Sequence, residues 1–321
     1  MSKQRDVVEA KKRMRELVFA SNREEQIARI INDTYDPELP IAEMITEIFN
    51  TGSAEPFEDV YYFTPTLPTK EVYLITTNCE VTHSEVSPSS KATLSFTSAV
   101  TKDYWICLDD LLNGDHNVLD LYGQDIIEEL NRYEIYAVLA LVDAGAVARG
   151  NEFAPDSGHT DLKFTKLYEM KKTIRKYGRK LVLITGTNVT EDVDLMDYSE
   201  DKNRPISILD IVDKHIPVES LDVKVGGVTK DVIDDDKAYL VAVSDSKKNK
   251  PGYFIRRKLG GTMVANAPDT TIVAKERAIV VSGNLKSVDT VDSFAKGIVG
   301  IEQFGAVLTN SYTVAKFDLN G

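Results

Sequence analysis

Residues 113–150 read NGDHNVLDLYGQDIIEELNRYEIYAVLALVDAGAVARG, and no other stretch constrains the fold as strongly. Ile126, Leu130, Tyr133, Ala137, Leu141 and Ala144 recur at three- and four-residue steps, the spacing of one helix face. Asn113-Gly114 supplies a turn ahead of it, and Asn117 can cap it with Asp120 in the first turn. Arg149-Gly150 supplies a cation and then a left-handed stop. A helix of roughly thirty residues at ~1.5 Å per residue is on the order of 45 Å long, well beyond the usual three or four turns. Its first half is amphipathic, with Glu128, Glu129 and Arg132 toward water, whereas Ile135 to Val142 is apolar all round. Such a helix is a strut or a buried core helix. The fully apolar run is too short to span a bilayer and begins beside Arg132 and Glu134.

A strut of that length needs a large body around it. The chain has 321 residues, 42% of them hydrophobic, enough for one large or two ordinary domains with a sizeable core. Acidic residues outnumber basic ones by 51 to 38, a net charge of −13, which argues against nucleic acid as a tightly gripped ligand. A local basic patch facing DNA is compatible with that balance. Only Cys79 and Cys107 are present and the N-terminus does not resemble a signal peptide, so a reducing, intracellular setting is expected. The two thiols read as unpaired; a bond between them would cross-link two strands of the hairpin described next.

Ahead of the helix, Met1 to about Tyr35 is a charged helical segment with a thin apolar stripe at Val7, Met14, Leu17, Val18, Ile27, Ile30 and Ile31. Lys11, Lys12, Arg13 and Arg15 make it locally basic, as a solvated face or a DNA-facing one. Five prolines between Pro37 and Pro68 then mark an extended arm carrying one short helix at Ile41 to Phe49, to be laid on its own body or on a neighbour. From Val60 to Leu108 the pattern alternates: Val72 to Thr77, Cys79 to His83, a polar tip from Ser84 to Lys91, then Ala92 to Ser98 and Tyr104 to Leu108. This predicts a long β-hairpin whose Ser- and Thr-rich faces need a partner surface.

Beyond Gly150 a helix through Leu162, Leu167, Met170, Ile174 and Tyr177 is stopped by Gly178, and Lys180 to Thr185 is a buried strand. Gly186 to Arg204 reads as an acidic loop, and Pro205 to Val212 as the start of a helix capped by Ser207. Strands are expected at Leu221–Val225, Lys237–Val243, Tyr253–Arg257, Thr271–Lys275, Arg277–Val281 and Tyr312–Phe317. The body is α+β with mixed sheets.

Chemical motifs are sparse. His83, His116, His159 and His215 lack zinc-site spacing, and there is no G-x-S-x-G elbow. Leu181 to Asn188 runs a hydrophobic strand into a glycine turn as nucleotide-binding folds do, but no phosphate-binding glycine pattern follows, and Glu191, Asp192 and Asp194 would repel phosphate. Asp231 to Asp236 and Asp192 to Asp197 are carboxylate-rich yet lack the central Gly and terminal Glu of a calcium loop, and read as solvated turns. Lys247 to Lys250 reads as a basic hairpin tip, solvated or ion-paired between subunits. No catalytic, cofactor-binding or metal-ligating residue is assigned.

The order of these elements, with the long helix ending in Ala144-Gly-Ala-Val-Ala-Arg-Gly150 and a closing strand pair, resembles the major capsid proteins of tailed bacteriophages, the Hong Kong 97 fold. Nearly the whole chain takes part. The resemblance implies an N-terminal arm at 1–59, an extended-loop hairpin at 60–114, a peripheral domain with the spine helix at 115–179, an axial domain at 180–265, and strands returning to the peripheral domain at 266–321. It further implies a non-enzymatic subunit, assembled in the host cytoplasm into the pentamers and hexamers of an icosahedral virion shell around double-stranded DNA held without sequence specificity. Scaffolding, portal and decoration proteins would be further partners, and no membrane is involved. An arm and a hairpin that cannot bury themselves fit a subunit that lies across its neighbours, and an acidic wall would not trap DNA. Two alternatives stand beside this: an encapsulin-like nanocompartment shell, and a nucleotide-dependent cytoplasmic enzyme using the Leu181 to Asn188 strand and turn.

Overall fold

The computed structural model describes residues 41–63, 91–102, 104–107, 118–157, 160–197, 207–219, 221–244, 250–259, 275–282 and 295–321. The charged segment Met1 to Tyr35, the strands Val72–Thr77 and Cys79–His83, the helix entry at Asn113 to Asn117 and residues Thr271 to Ala274 lie outside them, as do His83, His116, His159 and Cys79.

The described chain opens with helix α1 (Glu43–Ile48), which continues directly into strand β1 (Phe49–Ala54). Met44, Ile45, Ile48 and Phe49 are buried, and β1 pairs in parallel with β12 (Gly252–Arg257). The short helix expected at Ile41 to Phe49 is therefore present, but the residues after it form a sheet strand of the body instead of continuing as an extended arm. Pairing with β12 and the buried side chains of Phe49 and Ala54 at its two ends anchor this strand there.

Strands β2 (Tyr61–Phe63) and β3 (Lys91–Thr93) pair antiparallel, as the base of a hairpin must. The return strand does not run on as expected. β4 (Thr97–Val100) and β5 (Tyr104–Cys107) leave the hairpin and pair antiparallel with β14 (Ala295–Leu308), placing Cys107 opposite Ala295 in the main sheet. A disulfide to Cys107 would thus not join two strands of the hairpin.

β14 is the hub of a six-stranded sheet. One edge takes β13 (Arg277–Ser282) and then β12, and the other takes β5 and then β4. Its final segment, Phe304 to Leu308, has a strand-like sequence around Gly305, whereas Gly297 and Gly300 break the earlier pattern. Two of these glycines answer to packing. A Cβ at Gly300 would lie 2.3 Å from Ile126 Cγ2, and one at Gly305 would lie 2.7 Å from the Ser95 carbonyl. The glycines let the long helix and the β3–β4 connection press onto the strand.

That helix is α2 (Val118–Arg149), 32 residues long. It ends in a Schellman motif: Asn151 N–H donates to the Ala146 carbonyl at 3.1 Å, Gly150 N–H donates to Val147 at 3.0 Å, and Gly150 has φ 64°. Its buried row, however, is Ile126, Leu130, Glu134, Val138, Val142 and Ala146, while Tyr133, Ala137 and Leu141 are half-buried and Ala144 is exposed. The expected row drifted off this face because it stepped around a charged residue. Nor is Ile135 to Val142 buried on all sides, since Ala140 faces solvent.

The second sheet runs β6 (Glu152–Phe153), β15 (Val314–Asp318), β11 (Lys237–Val243), β7 (Lys180–Thr185) and β8 (Lys214–Pro217). β7 and β11 are apolar at nearly every position because both faces are covered. Val182, Ile184, Tyr239, Val241 and Val243 join the core shared with α1, α2 and the six-stranded sheet. Leu181, Leu183, Ala238, Leu240 and Ala242 pack instead against α3 (Phe164–Ile174) and α4 (Thr187–Asp197). α4 occupies what reads as an acidic loop, for Val189, Val193 and Met196 bury one face at helical spacing beneath the acidic exterior. Conversely, the helix expected from Pro205 is a single 3-10 turn at Ile208–Asp210, with Ser207 as its cap. Strands β9 (Asp222–Val225) and β10 (Val228–Asp231) form a separate two-stranded ribbon. β11 and β12 lie in different sheets, so Lys247 to Lys250 belongs to a crossover between sheets and not to a hairpin tip. Among the described residues no helix is long and apolar enough to cross a membrane.

Candidate functional site

Strand alternation places Phe254 and Arg256 of β12 and Glu302 and Phe304 of β14 in the interior, where Glu134 of α2 is also wholly buried. Glu134 sits on the apolar row of its helix, and two guanidinium groups meet it there. Arg256 grips it in a bidentate pair, Nε to Oε1 at 2.7 Å and Nη2 to Oε2 at 2.8 Å. Arg277, opposite Glu302 in the β13–β14 register, donates from Nε to Glu302 Oε2 at 2.5 Å and from Nη1 to Asn131 Oδ1 at 2.7 Å. Its Nη2 lies 3.0 Å from Glu134 Oε2, an ion-pair distance without hydrogen-bond alignment. Glu276 approaches Arg256 at 3.9 Å.

Three carboxylates thus face two guanidinium groups, an excess of one negative charge when all are ionised. The strain falls on Glu302. Burial, and then the neighbouring Glu134 charge, push its carboxyl up to about 8 against the pull of Arg277 and Arg256. Among the described residues its Oε1 has no hydrogen-bond partner. Chemically this is a closed joint, fastening the middle of α2 to three strands that come from distant parts of the chain. A charged residue repeating the spacing of Ile126, Leu130, Val138 and Val142 was the available signal for it, and Arg256 alternating with Phe254 was the matching one.

A second cation joint ties α1 to the other sheet. Lys180 Nζ donates to Glu47 Oε2 at 2.6 Å and Lys214 Nζ to Glu47 Oε1 at 2.8 Å, with Lys214 also paired to Glu43. The hydrogen bonds from Lys180 and Lys214 lower the Glu47 carboxyl to about 2. Lys250 donates to the Thr46 carbonyl, so this end of the basic crossover is anchored on α1.

The hairpin root is clamped as well. Arg257 donates to the Glu58 carbonyl and stacks 3.6 Å over the Phe96 ring. Lys258 pairs with Glu55 at 2.6 Å, Leu94 N–H donates to Val60 at 2.8 Å, and Leu94 is buried. The β2–β3 base is therefore fixed to the body.

The strand-turn-helix at Leu181 to Asn188 forms, but its helix N-terminus is engaged: Asn188 N–H and Val189 N–H both point to the Asp235 carbonyl, at 3.1 and 3.4 Å. The acidic stretches are likewise occupied by internal partners. Asp192 accepts from Leu162 N–H at 2.9 Å, Asp234 pairs with Lys237 at 2.8 Å, and Asp236 accepts from Asn188 and Asn320 at 2.7 and 2.6 Å. His215 Nε2 lies 2.8 Å from Thr185 Oγ1.

No family model and no curated protein matches the chain. Solved structures do. A structure from Microbacterium phage Oxtober96 is similar over 89% of this chain and 98% of its own, with TM-score 0.55 at 11% identity. One from Mycobacterium phage Bobi is similar over 89% and 97%, with TM-score 0.53 at 11% identity. The virus-like particle from Pyrococcus furiosus is similar over 90% and 96%, with TM-score 0.50 at 10% identity. At such identities the likeness is one of fold. The chain has the Hong Kong 97-type capsid fold.

Proposed function

We propose that the chain is a major capsid protein, self-assembling as pentamers and hexamers into an icosahedral shell around double-stranded phage DNA. The observation that carries this reading is the fold shared along almost the full length of both chains with phage structures and with a virus-like particle. A long helix bolted to its sheets by buried charge supplies a stiff plate, and the β2–β3 root of the expected hairpin is clamped to that plate. On this reading 1–59 is the N-terminal arm, fixed to the body through β1, and 60–114 the extended loop, whose β4 and β5 tie back to the main sheet. Residues 115–179 form the peripheral domain, 180–265 the axial domain, and 266–321 the returning strands. The protein resides in the virion after assembly in the host cytoplasm, with scaffolding, portal and decoration proteins as further partners and no catalytic role. A net charge of −13 disfavours adhesion of the wall to packaged DNA.

The test is expression of the full chain, followed by negative-stain imaging and measurement of nuclease-protected nucleic acid. Uniform closed shells are expected. Shells filled with protein instead of DNA would select the nanocompartment alternative. Persistent monomers, stabilised by added nucleotide, would replace the reading with the enzyme.

A further inference from the structure

Two helices end at one corner of the molecule. Arg149, in the last turn of α2, sets its guanidinium 3.7 Å over the Tyr312 ring and donates from Nε to Ser311 Oγ and from Nη1 to Tyr312 Oη, each at 2.8 Å. Tyr312 in turn meets Tyr177, with ring centroids 5.3 Å apart, and Lys176 Nζ lies 4.9 Å from the Tyr177 ring. Tyr177 closes the 3-10 turn Arg175–Tyr177 that follows α3. An aromatic pair flanked by two cations therefore joins the ends of α2 and α3.

Positive charge accumulates at this corner. Residues 171–180 hold Lys171, Lys172, Arg175, Lys176, Arg179 and Lys180 and no acid, in a chain of net charge −13. Lys171 donates inward to the Ile211 carbonyl and Lys180 pairs with Glu47. The other four and Arg149 are exposed, and none of these five has a carboxylate partner among the described residues. Some acid lies close by. Asp143 pairs with Lys316 at 3.1 Å, Glu169 and Asp156 share Lys166, which leaves one acid over, and Glu152 is exposed three residues past Arg149. The partial charges at two helix C-termini amount to about one more negative charge. Against these, five cations leave the corner positive.

The chemistry of the corner selects its partner. The centre of a contact between protein copies is apolar and poor in Lys, and here the two tyrosines are half-buried and already stacked on each other. A phosphate backbone needs clustered cations and little else. Arg149 is prepared for one: Ser311 and Tyr312 fix its plane with two of its N–H groups, and the remaining donors are left for phosphate oxygens.

We propose that this corner, Arg149 with Lys172, Arg175, Lys176 and Arg179, binds the phosphodiester backbone of double-stranded DNA. It gives an otherwise acidic wall a local point of contact with DNA. That this DNA is the packaged genome rests on the shell reading above, whereas the contact belongs to the single subunit.

The experiment titrates the full chain with a labelled double-stranded DNA oligomer over a range of salt concentrations. Binding should weaken as salt rises. Lys172→Gln with Lys176→Gln should lower the affinity at least tenfold and reduce the slope of log K against log salt by about two. Lys102→Gln with Lys224→Gln removes the same charge elsewhere and should change the affinity less than twofold. Absence of binding by the unaltered chain, or equal losses from the two pairs, would overturn the site and leave the shell reading standing. Unchanged DNA affinity with loss of closed shells from Lys172→Gln with Lys176→Gln would overturn it too, and would make the corner a contact between copies. Absence of shells from the unaltered chain, with the DNA results as expected, would remove the shell reading alone.

Discussion

Glu134 shows how one residue can be costly and indispensable together. Its charge is buried completely, and the bidentate Arg256 pair with the adjacent Arg277 offsets the loss of hydration. Glu134→Ala leaves two guanidinium groups buried without their shared partner, so a loss of about 3–5 kcal/mol is expected in chemical denaturation. Glu302 acts in the opposite sense with pH. Its carboxyl titrates near 4.5 when unfolded and is raised to about 8 in the fold, so between these values the native state holds a proton that the unfolded chain has released. This group therefore weakens the fold as pH rises through that window, by at most about 1.4 kcal/mol per pH unit. Glu302→Gln should flatten the dependence, raising the melting temperature at pH 8 more than at pH 5. An unchanged slope would show that Glu302 is not the proton carrier.

Elements were legible in the sequence where one face of a periodic pattern is apolar and its ends are signalled. α2 and α3 meet both conditions, with Gly150 at the stop of α2, while β7 and β11 were legible as short apolar runs with signalled ends. β14 and α4 were not legible. In α4 the acidic exterior masks Val189, Val193 and Met196. In β14 the glycines that look like breaks are points of contact, and the information needed to interpret them sits in α2, far away in the chain. Glu134 was hidden for the same reason, since its partners are supplied by β12 and β13. The β14 explanation can be tested directly. Gly300→Ala sets a methyl group 2.3 Å from Ile126 Cγ2 and should cost about 1–3 kcal/mol. Ile126→Ala removes the obstructing carbon, so the double variant should lose less stability than the two single losses added together. Simple additivity would place the strain elsewhere.

For the whole molecule, the two sheets and α2 share a core, and the β2–β3 pair, between whose strands residues 64–90 run, is pinned by Arg257 and Leu94. Removing residues 64–90 and joining Phe63 to Lys91 through an Asn-Gly turn should preserve circular dichroism and melting temperature while abolishing closed shells. Shells of normal size from this deletion would show that the hairpin makes no needed contact with a neighbour.

The place of β14 in the chain also sets when the subunit can fold. β1, β4 and β5 are made early, yet β14, the strand that joins their sheet, is made long after them. The hydrogen bond from Gly300 N–H to Thr101 Oγ1 alone spans 199 residues. At about 5–20 residues per second a ribosome takes on the order of ten to forty seconds to cover that distance. Until then the early strands have no template and the core cannot close, and a fold so rich in distant pairings forms slowly even afterwards. Nascent chains crowded on one messenger therefore lack the finished sheet until β14 emerges, and any surface that this sheet presents to another copy is absent from them until that moment.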